Sequence, residues 1–362
     1  MKLRLLALIL VLCSCVSYAE KERPAGFFSI VDDAGKILHQ TAHMLSVGDE
    51  YIDENNRLWR LEKLSGDKAK ARLVEKVKLP AAVFPSKLSG FSWGGKKGGA
   101  IAIYHTHSDE SYVPTSGTSS KPWGDVYKVG EALKNALQNE GFQVYWSKNN
   151  HNPHDGMAYK RSRTTAFKLL KAQPAALIDI HRDAVPPEAY KTQIGGEPAT
   201  KVMIVVGKQN QNRDSNLEFA KAVKANADAR HAGIVKGILF ANGNYNQDLG
   251  PRTILLEFGT DQNSLEAAKR SAHEWAHIIS AAVYGQSGGA GPGQARRQRT
   301  SQSVTSKGSI FWLLGIALGG GLLYLWLSSG SWGKAIDRVK NMGTEFSSAF
   351  FSRKDPPDDE DK

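Results

Sequence analysis

Cysteine is almost missing from this chain of 362 residues: there are two, Cys13 and Cys15, and both fall near the amino terminus. A chain cut after Ala19 carries none, which excludes a disulfide framework and leaves any metal site to nitrogen and oxygen ligands. Acidic residues are also in deficit, with Asp+Glu 36 against Lys+Arg 47 and a formal net charge of +11. Such a balance suits work against an anionic surface: nucleic acid, lipid headgroups or a cell wall. No zinc-knuckle, RNA-binding-sheet or helix-turn-helix signature is present to favour nucleic acid. Apolar residues are not scarce, at 41% hydrophobic against 23% charged. Global disorder is therefore excluded, and the length leads us to expect two folded pieces.

Two apolar runs stand apart from the rest. Residues 1–19 open with Lys2 and Arg4, continue through an apolar run and close on Ser17 and Ala19 at signal-cleavage spacing. That pattern reads as a secretory signal, with a poor lipidation site around Cys13 as a weaker variant. Residues 309–327 form an uncharged stretch with Trp312, Tyr324 and Trp326 near its ends. Its length matches a bilayer core of ~30 Å and its aromatics match interfacial belts. Basic residues flank it on both sides, Arg296, Arg297 and Arg299 before and Lys334, Arg338 and Lys340 after, so the charge rule does not orient it. The signal does. The expectation is a single-pass cell-membrane protein with its large domain extracytoplasmic and residues 328–362 as a cytoplasmic tail.

Between these runs, residues 25–78 read as short strands broken by turns, the pattern of a small β-rich domain. A linker at 79–99 contains Pro80, Pro85 and a glycine-rich run. From 100 to 284, strands and helices alternate, with strands expected at 101–107, 142–146, 176–181, 202–207 and 253–258. This predicts an α/β domain with a largely parallel sheet flanked by helices, whose site lies beyond the carboxyl ends of its strands. Residues 285–308 have no hydrophobic period and read as a flexible tether.

Three of the expected strands end in polar groups suited to metal chemistry: the first runs into His105, His107 and Glu110, the second into His181, Arg182 and Asp183, the third into Glu257. Residues two apart on a strand share a face, so His105 and His107 are both candidates for one site. A catalytic zinc site needs three protein ligands and an open position, and imidazole and carboxylate suit this ion. A further carboxylate must carry a proton from water to the leaving group, and Glu257 fits because it arrives from a separate strand. His39 and His43, four apart with no Glu beside them, are expected to be structural.

The segments 105–112, 178–184, 245–251, 255–259 and 263–272 resemble the stage II sporulation protein P family across nearly all of the second domain, with motifs in matching order. The segment Gly48 to Ile52 resembles the amino-terminal part of some members. That family is similar in fold to zinc-dependent N-acetylmuramoyl-L-alanine amidases. By the resemblance, His107, Glu110 and His181 would hold Zn2+, with His105 as rival for one place, and Glu257 would serve as general base and acid. The implied reaction is cleavage of the amide between muramic acid and the first alanine of the peptidoglycan stem, with a possible endopeptidase activity on cross-links. Implied partners are a glycan-trimming protein and others that remodel the wall during sporulation.

Arg182 and Arg252 are the expected substrate-binding arginines, with Arg161 and Arg163 as further candidates, because a guanidinium grips a carboxylate in two-pronged fashion. His151 and His154 are expected in a polar loop, and His231, His273 and His277 in structural places. Two other readings compete with the amidase: a wall-binding scaffold without activity, and a zinc peptidase that cuts protein.

Overall fold

A strand buried on both faces needs apolar residues at nearly every position, and alternating patterns belong to sheets with one wet face. Both kinds occur here. A computed structural model describes residues 23, 25–83, 92–93, 96–97 and 99–285. Its amino-terminal strands are Phe28–Val31 (β1), Ile37–Thr41 (β2), Glu50–Ile52 (β3), Arg57–Ser65 (β4) and Lys68–Lys76 (β5), and the last two alternate buried and exposed positions. A short hairpin, Ser92–Trp93 (β6) and Lys96–Lys97 (β7), follows. Then come Ala100–Tyr104 (β8), Gln143–Trp146 (β9), Ala176–Asp183 (β10), Lys191–Ile194 (β11), Glu197–Thr200 (β12), Val202–Gly207 (β13), Val235–Ala241 (β14) and Thr253–Thr260 (β15). β8, β10, β13 and β15 are buried along their whole length. The helices are Val113–Ser116 (α1), Val126–Asn139 (α2), Ala158–Leu170 (α3), Arg213–Arg230 (α4) and Leu265–Gly285 (α5).

One sheet of 11 strands holds the molecule together, in the order β2-β1-β5-β4-β3-β14-β13-β15-β10-β8-β9. β9, β8, β10 and β15 run parallel, β13 turns antiparallel to β15, and β14 runs parallel to β13. The sheet is thus mixed, where the sequence led us to expect a largely parallel one.

The expected separate β-rich domain is also corrected. β3 pairs antiparallel with β14, with Tyr51 opposite Leu239, so the amino-terminal strands extend the central sheet. β14 was missing from the expected strands, and without it nothing tied residues 25–78 to the rest. The close approach depends on Gly237, at φ 149°, where a Cβ would lie 2.5 Å from the Ile52 carbonyl oxygen and from the Tyr51 ring.

The two faces of the sheet have different cover. Val202, Ile204 and Val206, with Ile254, Leu256 and Phe258, pack against Leu133, Phe219 and Trp275 of α2, α4 and α5. Burying a large apolar side chain contributes on the order of 1.5–3 kcal/mol each. On the other face, Met203, Val205 and Leu255 meet Ile30, Tyr51, Trp59 and Leu61 from the amino-terminal strands and Tyr159 from α3. The sheet therefore curls so that β1–β5 lie over its own central strands. Glu257 shares the parity of Leu255 and faces the curled strands.

The expected membrane localisation is overturned as well: no helix among the described residues is long and apolar enough to cross a membrane. The signal expected at 1–19, the tether after 285, the span at 309–327 and the tail at 328–362 lie outside the described residues.

Candidate metal centre

β8 ends at Tyr104, before either of the two histidines that follow it. Strand alternation therefore stops applying to them, and they part. His105 turns to the helical face, where Trp146 Nε1 donates to its Nε2 at 3.0 Å and its Nδ1 lies 3.3 Å from the Ile180 carbonyl oxygen. Burial pushes its pKa down to about 4, against the pull of Asp179. Both ring nitrogens are thus engaged on the wrong side of the sheet, and His105 stands apart from the cluster formed by the other candidates.

That cluster is His107, Glu110 and His181, all buried, with one ligand atom from each lying within 4.8 Å of the others. The Nδ1 atoms of His107 and His181 approach the same oxygen, Glu110 Oε1, at 3.1 and 3.3 Å. Glu110 Oε2 accepts from the Arg182 backbone N–H at 2.9 Å. Burial alone would raise the Glu110 pKa, but the charges of His181 and Arg182 and the hydrogen bonds of both histidines hold it well below the usual carboxylate range. Behind His181, Nε2 lies 3.1 Å from Asp179 Oδ1, an ion-pair contact off hydrogen-bond alignment. Asp179 is itself fixed by the Thr106 backbone N–H at 2.9 Å and its hydroxyl at 2.6 Å. Two nitrogens and one carboxylate that converge while a second carboxylate orients one imidazole from behind are the donor set zinc takes, so the residues fit that ion.

The loop that carries Glu110 is held on three sides. Gly124 N donates to the Ser108 carbonyl at 2.8 Å, Lys121 N to that of Asp109 at 3.0 Å and Val126 N to that of Glu110 at 3.1 Å. A Cβ on Gly124 would stand 2.2 Å from the Glu110 carbonyl oxygen. From the opposite side, His154 stacks on His107 with ring centroids 3.9 Å apart and binds Asp109 Oδ1 at 3.0 Å. His151 caps the carbonyl of His105 at 2.7 Å. Both lie in the loop expected for them and neither joins the His/Glu/His cluster.

Glu257 lies opposite His181 in the parallel register of β10 with β15. It is fully buried, and burial pushes its pKa up to about 7 against the pull of a hydrogen bond from His43. That contact, His43 Nε2 to Glu257 Oε1 at 2.9 Å, was not expected from the sequence, which left His43 a structural residue. Nothing local marks it, because its partner lies 214 positions away. His39, by contrast, stacks on Tyr51 with centroids 4.9 Å apart and takes a structural place.

Arg182 reaches the cluster, its Nη1 4.0 Å from Glu110 Oε1. The Arg182 guanidinium is buried and donates to the Ser119 carbonyl at 3.0 Å, so it braces the Glu110 loop. Arg252 sits just before β15, its carbonyl accepting from Leu177 N at 3.1 Å, at the strand end opposite Glu257. Arg163 grips Asp248 through two bonds of 2.7 and 2.5 Å, and Arg161 binds Asp155 at 2.6 Å.

Residues 42–280 match the model of the stage II sporulation protein P family. The chain belongs to that family. A stage II sporulation protein P of Bacillus subtilis (strain 168) is 31% identical over 207 residues, 52% of this chain and 51% of that protein. The chain thus spans about half the length of that curated relative of the family. Among solved structures, the N-acetylmuramyl-L-alanine amidase Ami1 from Mycobacterium smegmatis superposes with a TM-score of 0.37 at 15% identity, covering 57% of this chain and 100% of that one. The amidase AmiC2 of Nostoc punctiforme gives 0.36 at 15% identity, covering 53% and 98%. The family match starts one residue before His43, so the segment that carries this histidine belongs to the shared region.

Proposed function

We propose that the chain is a zinc-dependent peptidoglycan hydrolase of sporulation that cleaves the amide between N-acetylmuramic acid and the first L-alanine of the stem peptide. Family membership supports the setting. The chemistry is supported by one observation above the rest: a buried His107, Glu110 and His181 cluster stands beside a carboxylate with one oxygen held and the other, Glu257 Oε2, without a hydrogen-bond partner among the described residues.

In this reading His107, Glu110 and His181 hold zinc, which when bound supplies Lewis acidity that polarises the scissile carbonyl and makes water more acidic. Glu257 does the proton work. Its Oε2 takes a proton from the attacking water as the carbon–oxygen bond forms, then delivers it to the amide nitrogen as the carbon–nitrogen bond breaks. A pKa of about 7 suits a group that must both accept and return a proton near neutrality. Arg182 keeps Glu110 in place, and Asp179 keeps the His181 ring turned toward it.

The test is purified peptidoglycan incubated with the zinc-loaded full chain and analysed by mass. Stem peptides with a free amino-terminal alanine are expected, absent after chelation, and reduced by roughly 100-fold to 10,000-fold in Glu257→Gln at unchanged zinc content. Stem peptides left fully attached to the glycan by an enzyme carrying zinc would refute the reading. Cleavage of casein with peptidoglycan spared would replace it with a protein peptidase.

A further inference from the structure

We propose that His43 is a positioning residue for the reaction: from the segment after β2 it holds one oxygen of Glu257 so that the other is presented to the substrate. This rests on the reading of Glu257 as proton carrier. In the ionised state that takes the proton from water, the Glu257 carboxylate only accepts, so in that state His43 Nε2 carries the proton of the 2.9 Å bond to Oε1. Both groups are buried, with side chains 6% and 1% exposed, so the bond is shielded from bulk solvent.

His43 is itself held from several directions. Ala42 N donates to Asp183 Oδ1 at 2.9 Å, which pins the segment to the end of β10. Asp183 Oδ2 in turn accepts from the Tyr190 hydroxyl at 2.9 Å. His43 N donates to Thr41 Oγ1 at 3.2 Å, and the Tyr245 ring meets the imidazole edge-on at 6.1 Å. The imidazole is thereby aimed at Glu257 by backbone and ring contacts alike.

A His–Glu pair that served the fold alone would satisfy both carboxylate oxygens, because a buried acceptor left unmade is costly. Here Oε1 is satisfied and Oε2 is not, among the described residues. The asymmetry stops the carboxylate from rotating between two equivalent poses and leaves one defined oxygen to exchange protons. It also makes the amino-terminal strands part of the reaction centre, since the base is oriented by a side chain that the central strands cannot supply.

The experiment measures hydrolysis of a muramyl-peptide fragment by the zinc-loaded full chain, with kcat and KM determined separately. His43→Leu is expected to lose about 10- to 100-fold in kcat, with KM within about twofold and zinc content unchanged, as expected for one charge-assisted hydrogen bond. His43→Gln, whose Nε2–H reaches the same oxygen, recovers most of the rate, whereas the shorter His43→Asn does not. In the metal-free chain, the hydrogen-bonded Nε2 proton resonance of His43 disappears in Glu257→Leu. An inactive wild-type chain would sink the hydrolase reading and leave that resonance as the measure of the pair. Equal rates in the Gln and Asn variants, a kcat in His43→Leu within twofold of wild type, or a loss of rate that follows loss of zinc would each overturn the positioning role.

Discussion

Replacing Gly124 by alanine adds one methyl group at the point where the loop that carries Glu110 meets the start of α2. The Cβ would stand 2.2 Å from the Glu110 carbonyl oxygen and 2.6 Å from Asp109 C and Glu110 N, all backbone atoms that no rotamer change can move. Gly124 is not among the glycines with positive φ, so its backbone angles suit alanine and the whole penalty is steric. Relief requires the two segments to separate by roughly 1 Å to restore ordinary carbon contacts. That movement stretches the Gly124 N to Ser108 O and Val126 N to Glu110 O hydrogen bonds, now 2.8 and 3.1 Å. Overpacking costs roughly 1–3 kcal/mol and a weakened hydrogen bond about 1 more, offset by about 0.5 from the stiffer unfolded chain. A net loss of about 1.5–3.5 kcal/mol lowers the melting temperature by roughly 3–14 °C in a domain of this size. Glu110 moves with its loop, so zinc affinity falls too. Thermal unfolding of the metal-free chain and chelator competition for zinc measure the two effects separately. A melting point within about 1 °C of wild type together with unchanged affinity would refute the wedge between Gly124 and Glu110.

His105 titrates at about 4 in the folded chain against 6.5 ordinarily, so the unfolded chain binds the extra proton between those values. Its contribution is complete above pH 6.5 and lost as pH falls to about 4, on the order of 3 kcal/mol in all; denaturant unfolding should show this slope flattened in His105→Gln, and an equal slope in both proteins would discard it. Asp179→Asn should weaken zinc binding about 10- to 100-fold by loosening the orientation of His181, and chelator competition that finds wild-type affinity would remove Asp179 from the site.

Much of the candidate centre is legible in the chain because fully buried strands announce themselves. Ile101 to Tyr104, Leu177 to Ile180 and Ile254 to Leu256 are runs too short for helices and apolar but for Asp179, and each is followed by a polar group that an apolar core would not tolerate without use. His105, His107, Glu110, His181 and Glu257 became candidates in that way and the family resemblance chose among them; the structure brings His107, Glu110 and His181 together with Glu257 alongside. The choice between His105 and Glu110 for the third ligand place was not legible, because it turns on where β8 stops and how the loop after it folds back, and a strand boundary leaves no mark in an alternation of side chains. β14 escaped because Lys236 and Gly237 interrupt its pattern, although Gly237 is what lets β3 lie against it. His43 escaped for a different reason. Its role is defined by a partner that only the curl of the sheet brings near, and no local spacing encodes that curl.

The same curl bears on how the molecule comes into being. His43 and Glu257 are 214 positions apart, and the carboxylate sits on β15, inserted between β13 and β10 after both have been made. Pairings across such spans form slowly, because chain must be closed over long distances before any contact rewards it. A nascent or half-folded chain can therefore gather His107, Glu110 and His181 from shorter separations and still lack an oriented proton carrier. If Glu257 is the proton carrier, hydrolytic power would then arrive only once β15 and the curled strands are in place, and an unfinished molecule would be harmless.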